Sequence, residues 1–161
     1  MNPRYAMFPG TFDPPTLGHA DIIKRAAKLY DCVHVVVADN IAKKTMFTAQ
    51  ERCDMLKDIV KDLDNVVVNS WGGATVDYAK KNDIGVLIRG IRALNDFEYE
   101  FELANVYKRM LPSLEVLFLP TDPDLSMLRS SMIKEMAIFG ADISAFVPQN
   151  VTREVKAKLM C

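Results

Sequence analysis

Several residue types and patterns are scarce in this chain, and each shortage narrows its chemistry. Cysteine occurs three times in 161 residues, at Cys32, Cys53 and Cys161, with no C-x-x-C spacing. That is too little for a disulfide-stapled secreted scaffold, and the thiols read as reduced, in a cytoplasmic protein. Histidine is scarcer still, only His19 and His34, and neither has a second histidine or a cysteine at zinc-ligand spacing. Charge of one sign is missing too: 20 Lys and Arg face 21 Asp and Glu, for a net charge of −1. No global basic field therefore exists to hold nucleic acid or an anionic membrane, and any anion must be bound by local chemistry. No apolar run approaches the ~20 residues of a membrane span, and the short one after Arg4 stops at Pro9-Gly10, before a signal-peptide core could form. G-x-G-x-x-G and G-x-x-x-x-G-K-[ST] are both absent, which removes the main support for hydride transfer and for P-loop ATP hydrolysis. Repeats, low-complexity tracts and long linkers are also lacking.

What is there is the composition of a folded protein, 50% hydrophobic and 25% charged, over a length that fits a single domain, residues 1–161. Strand-length apolar runs at Tyr5–Phe8, Val33–Ala38, Val66–Val68, Val86–Ile88 and Leu114–Leu119 alternate with helical periodicity over Ala20–Tyr30, Met55–Leu63, Val76–Lys81 and Phe97–Met110. A further helix follows Ser130-Ser131, so strands and helices alternate throughout. Continuous rather than alternating apolar strands imply burial on both faces. The pattern predicts an α/β fold: one Rossmann-like, doubly wound, parallel five-stranded sheet with helices on both faces. Thr48-Ala49-Gln50-Glu51 is a capping box opening the second helix, and Gly18 to Ala20 opens the first. His34, Cys32 and Trp71 read as structural and the nine methionines as core filler. Pro and Gly cluster after the strands, and in an open parallel sheet ligands bind outside the carboxyl ends of strands.

Four constellations lie there. Phe8 to His19 runs from the first strand into the first helix; its glycines allow close backbone approach, Thr11 offers a hydroxyl and an amide, and His19 sits in the first helical turn, where free N–H groups favour anions. The same residues would also make a tight turn with a capping histidine. Arg89 and Arg92 flank Gly90 at a strand end, as an anion clamp or as partners of Asp96, Glu98 or Glu100. Lys43-Lys44 follows the second strand, and on sequence alone such a pair is a solvated loop. Leu125 to Ser131 leads into a helix with consecutive serines that serve an anion or a plain N-cap.

Gly10-Thr11-Phe12-Asp13-Pro14 through Gly18-His19, with Arg89-Gly90-Ile91-Arg92, resembles the nucleotidyltransferase superfamily marked by T-x-G-H or H-x-G-H. Lys43 to Thr48, Val86 to Arg92, Asp96 to Glu100, Ser130 to Glu135 and Phe146-Val147-Pro148 follow in the order of its bacterial phosphopantetheine adenylyltransferases, over nearly the whole chain. The resemblance implies transfer of AMP from ATP to 4′-phosphopantetheine, giving dephospho-coenzyme A and pyrophosphate in coenzyme A biosynthesis, with Mg²⁺ on the triphosphate. It also implies a cytoplasmic homohexamer inhibited by coenzyme A.

By the same resemblance His19 stabilises the transition state, with Lys43 and Arg89 holding the nucleophile. ATP meets Thr11, Phe12, His19, Gly90, Ile91, Arg92, Glu100, Leu125, Ser126, Met127, Leu128, Arg129, Ser130 and Ser131, while Thr11, Lys43, Thr75 and Arg89 meet phosphopantetheine. The chain departs from the family's pattern where Leu125 and Met127 replace aromatics, Arg129 replaces a serine, and Tyr107 replaces an expected Asn. Those departures are the support for a second reading, a nucleotide- or coenzyme-A-binding module without turnover. A third, a related nicotinate-mononucleotide adenylyltransferase or cytidylyltransferase, would carry I-S-S-T-x-x-R, where this chain has Lys134-Glu135 after Ser130-Ser131.

Overall fold

The computed structural model describes residues 4–39 and 44–160; Lys43 and Cys161 lie outside them. Five strands, β1 (Tyr5–Gly10), β2 (Cys32–Ala38), β3 (Val66–Trp71), β4 (Val86–Ile91) and β5 (Glu115–Pro120), form one parallel sheet in the order β3-β2-β1-β4-β5. The helices are α1 (Leu17–Ala27), α2 (Ala49–Ile59), α3 (Thr75–Lys81), α4 (Leu94–Met110), α5 (Ser130–Ile138) and α6 (Gln149–Leu159), with a short 3-10 turn at Pro123–Leu125.

Alternation along the strands sorts the core into two layers. Ala6, Phe8, Val33, Val35, Val37 and Ile88 pack on one face against Ile22, Ile23 and Ala26 of α1 and Cys53 and Leu56 of α2. Met7, Val36 and Leu87 face the other way, against Val76, Tyr78 and Ala79 of α3 and Tyr107 of α4. Burying each such aliphatic side chain contributes roughly 1.5–3 kcal/mol. α6, which the sequence pattern does not reveal, has only Val151 and Val155 as a narrow apolar stripe. With Ile133 of α5 it covers Met55 of α2 and Phe47 in a third cluster, fastened by Lys158 to Glu51 at 2.8 Å.

Two expectations shift for local reasons. α1 begins at Leu17, just ahead of the expected Gly18 to Ala20 opening, because Thr16 is its N-cap. Tyr107 of α4 packs into the second core layer, while Met110, Met127, Met132 and Met160 are exposed, so only part of the methionine set fills the core. His34 is a satisfied strand residue as expected, its Nδ1 2.9 Å from the Tyr78 hydroxyl, which also accepts from Asn69 Nδ2 at 2.8 Å.

The central strands part early. β1 pairs with β4 only at Ala6–Val86 and Met7–Leu87, whereas β1 and β2 stay in register from Tyr5–Cys32 to Gly10–Val37. Pro9 is therefore tolerated in a central strand, since its missing N–H falls where the β4 ladder has ended. The chain winds outward through β2 and β3 on one side and through β5 on the other. The parting between β1 and β4 is thus the switch point at which such sheets bind ligands.

Candidate active site

A cleft of about 520 Å³ opens at that parting, within the range of small-molecule sites. The loop after β1 makes its floor. Gly10 has no room for a side chain, since a Cβ there would meet Phe12 Cζ at 2.9 Å. Phe12 holds a left-handed φ of +50° and is buried, its ring edge-on to His19 at 4.9 Å. Asp13, also buried, accepts from the backbone N–H of Phe47 and Met46, both at 2.9 Å, and from Lys134 Nζ at 2.8 Å. It therefore ties the first loop to the start of α2 and to α5.

His19 is the third residue of α1 and closes a capping box with Thr16. The Thr16 backbone N–H donates to His19 Nδ1 at 3.0 Å, and the Thr16 hydroxyl oxygen accepts from the His19 N–H at 3.2 Å. A backbone N–H only donates, so Nδ1 is the bare nitrogen and Nε2 carries the hydrogen. Burial first, and the neighbouring Arg92 cation second, push the ring's pKa down to about 4. At neutral pH His19 is an uncharged Nε2–H donor in a cleft, able to stabilise growing negative charge without giving up a proton. The capping reading of this histidine is met through Nδ1 and the backbone N–H, and Nε2 takes no part in it. The helix start is less open to an anion than the sequence suggests: the Leu17 N–H is taken by Phe146 O at 3.1 Å and that of His19 by Thr16. Gly18, the remaining residue of that turn, lines the cleft.

The ion-pair alternative for the arginines is met. Arg89 grips Glu100 with Nε (2.6 Å) and Nη2 and donates from Nη1 to Pro9 O at 3.0 Å, bridging the parted strands. Arg92 pairs with Asp96 at 2.9 Å. Each nonetheless lines the cleft. Among the described lining residues are five cations, Lys44, Arg89, Arg92, Arg129 and Lys134, against the two carboxylates Asp13 and Glu100. A protein of balanced charge thus has a locally positive cleft.

Of the residues singled out from the sequence, Thr11, Phe12, His19, Arg89, Gly90, Arg92, Glu100, Leu125, Leu128, Arg129, Ser130 and Ser131 line it together. Ile91 faces a shallower recess beside Leu94 and Phe97 instead. Ser126 turns its hydroxyl to Pro123 O at 2.8 Å, closing the 3-10 turn. Met127 is 75% exposed and is not part of the cleft lining, so of the two departures at aromatic positions only Leu125 walls it. Thr75 begins α3 beyond edge strand β3, two strands from β1, and is not among the lining residues. Sequence reasoning gave no role to Asp13, Lys134 or Thr121, which do line the cleft. An acid inside an apolar, proline-rich turn was the available signal for Asp13.

Comparison with known proteins agrees with this geometry. Residues 7–136 match the cytidylyltransferase-like family. A phosphopantetheine adenylyltransferase from Dictyoglomus turgidum is 48% identical over 153 residues, 95% of this chain and 96% of the relative. One from Caldanaerobacter subterraneus subsp. tengcongensis is 47% identical over 155 residues, 96% of this chain and 97% of its own. In fold, the chain superposes on a candidate nicotinate-nucleotide adenylyltransferase from Vibrio parahaemolyticus with a TM-score of 0.70 and 20% identity, covering 95% of this chain and 98% of that one. The chain belongs to the cytidylyltransferase-like family and, within it, to the phosphopantetheine adenylyltransferases.

Proposed function

We propose that this protein transfers AMP from ATP to 4′-phosphopantetheine by direct in-line attack, releasing pyrophosphate and forming dephospho-coenzyme A. The observation that carries the reading is His19, held neutral with Nε2–H as its donor in a cleft rich in cations. An acceptor phosphate is already ionised near neutrality. The reaction therefore needs no general base and no covalent enzyme intermediate, only positioning and stabilisation of charge on the transferring group.

The roles follow from the placement. His19 Nε2–H donates to the oxygen of the α-phosphoryl group whose charge grows as the acceptor attacks. Thr11 and Phe12, from the loop after β1, and Gly90 and Arg92, from the end of β4, meet the nucleotide together with Leu125, Leu128, Ser130 and Ser131, which line the same cleft. Arg129, at the α5 N-cap, adds a cation where relatives place a hydroxyl. Arg89, preorganised by Glu100 and Pro9, holds the acceptor phosphate, and Lys43 is assigned to the same phosphate. Glu100 then serves the nucleotide side from its pairing with Arg89.

Both carboxylates of the cleft are committed to protein partners, Asp13 to Lys134 and two amides and Glu100 to Arg89. Among the described residues no group of three His, Cys, Asp or Glu could hold a metal. The donor set does not fit a resident Mg²⁺ site, so in this reading magnesium arrives on the triphosphate oxygens as part of the nucleotide substrate. A cytoplasmic homohexamer inhibited by coenzyme A completes the proposal. The side chains of Leu94, Phe97, Tyr99, Phe101, Val106 and Met110, all exposed along α4, support self-association.

The test is a coupled pyrophosphate-release assay offering each acceptor (4′-phosphopantetheine, nicotinate mononucleotide) with each nucleoside triphosphate. Release with ATP and 4′-phosphopantetheine alone is expected. ATP binding without release refutes the transfer reading in favour of a binding module, and release with another acceptor reassigns the substrate.

A further inference from the structure

Arg52 belongs to α2, outside every stretch the sequence marks, and is only 1% exposed. A buried guanidinium is destabilising unless its donors find acceptors, and this one sits in a cage of carbonyls. Nη1 donates to Thr11 O at 2.8 Å and Ala38 O at 3.0 Å; Nε is shared between Phe47 O at 3.1 Å and Thr48 O at 3.2 Å. The nearest carboxylate, the half-exposed Asp39, stands 3.8 Å from Nη2. One side chain thus gathers the ends of β1 and β2 and the approach to α2 at a single point below the cleft.

The contact with Thr11 bears on the chemistry. The next residue, Phe12, keeps a φ of +50°, a conformation that a bulky residue adopts only when its surroundings impose it. In a planar trans peptide the carbonyl and the N–H point in opposite directions. With the Thr11 carbonyl drawn into the core by Arg52, the Phe12 N–H is turned away from the core, on the side where both residues line the cleft.

We propose that Arg52 is a positioning residue for adenylyl transfer: by gripping the Thr11 carbonyl it fixes the Thr11–Phe12 peptide so that the Phe12 N–H is presented to the nucleotide phosphates. The role rests on the adenylyl-transfer reading above. It requires arginine, because a planar fork meets carbonyls in several fixed directions at once and a lysine ammonium, a point charge on a flexible stem, does not.

The first measurement uses the unaltered protein. In ¹⁵N-TROSY spectra the Phe12 amide proton moves downfield when ATP is added, and it does so again with inorganic pyrophosphate; an amide unmoved at saturating ATP overturns the proposal. The second compares Arg52→Lys with wild type. The variant keeps the charge, yet kcat falls by about 10²-fold, the loss expected for an ångström-scale misplacement. KM for phosphopantetheine stays within threefold, and the ATP-induced shift of Phe12 disappears. A variant with lowered Tm but wild-type kcat per folded molecule makes Arg52 merely structural and overturns the proposal. Should Arg52→Lys fail to fold, the wild-type amide shift decides alone. Wild-type protein that moves Phe12 on ATP yet releases no pyrophosphate with phosphopantetheine refutes the transfer reading instead, so the two failures are distinct.

Discussion

Thr16 and His19 hold each other by three contacts: Thr16 N–H to His19 Nδ1 at 3.0 Å, the Thr16 hydroxyl 3.2 Å from the same Nδ1, and His19 N–H to the Thr16 hydroxyl oxygen at 3.2 Å. The residue that caps the first helix also decides which ring nitrogen keeps its hydrogen. Stability and chemistry are therefore joined at this pair: the hydroxyl serves both the cap and Nδ1, while the backbone N–H serves Nδ1 alone, so a variant without the hydroxyl shows which of the two sets the ring.

Replacing Thr16 with valine removes the hydroxyl and leaves the backbone N–H. Losing an N-cap hydroxyl destabilises by about 1 kcal/mol, which for a domain near this size lowers Tm by roughly 2–4 °C. The backbone N–H contact to Nδ1 survives, so kcat falls less than tenfold. Thermal melts and steady-state kinetics of Thr16→Val read both effects. A kcat loss as large as that of His19→Ala would show that the hydroxyl, not the amide, sets the ring.

The His19 ring titrates far below the usual histidine range, near pH 4, because burial and Arg92 disfavour its cation. Between the unfolded value of about 6.5 and 4, the unfolded chain binds a proton on this ring that the folded chain refuses. The contribution of His19 therefore disfavours folding progressively as pH falls through that window and is absent above it. Imidazole ¹⁵N spectra should show a neutral ring with hydrogen on Nε2 at pH 7 and a midpoint below 5. A midpoint near 6.5 contradicts the burial argument.

Arg89 reaches Glu100 through two nitrogens and Pro9 through the third, so its guanidinium plane is fixed before substrate arrives. Arg89→Lys keeps the charge and loses the fork. Hydrogen bonds to charged groups contribute about 1.5–3 kcal/mol, so KM for phosphopantetheine should rise at least about tenfold with a smaller change in KM for ATP. Equal rises for both substrates would move Arg89 from the acceptor to the cleft as a whole.

The sheet was legible because buried parallel strands are written as nearly continuous apolar runs: Val33–Ala38, interrupted only by His34, and Val86–Ile88 needed no further clue. Their continuations were not, since Pro9 and Gly10 in β1 and Asn69 and Ser70 in β3 carry no apolar signal and are strand only by pairing. α6 escaped notice because two valines a turn apart become a face only when Ile133 and Phe47 lie opposite them. In the site, His19 and the arginines could be found from turn chemistry, strand ends and resemblance. Arg52 could not, because its partners are carbonyls from segments far apart in the chain, and a carbonyl has no residue identity to read. Asp13 and Lys134 were missed for a related reason: they are 121 positions apart and meet only through the fold.

The most direct test is a single-turnover experiment with both substrates saturating, following dephospho-coenzyme A by rapid quench in wild type and His19→Ala. Removing one preorganised donor to a developing oxyanion lowers the chemical rate by about 10²–10³-fold. The wild-type protein should form dephospho-coenzyme A with no adenylylated enzyme at any time. His19→Ala should be slower by that factor while its calorimetric Kd for ATP stays within threefold. A His19→Ala protein that transfers AMP at the wild-type rate, or a wild-type protein that accumulates a covalent adenylyl adduct, would contradict the account.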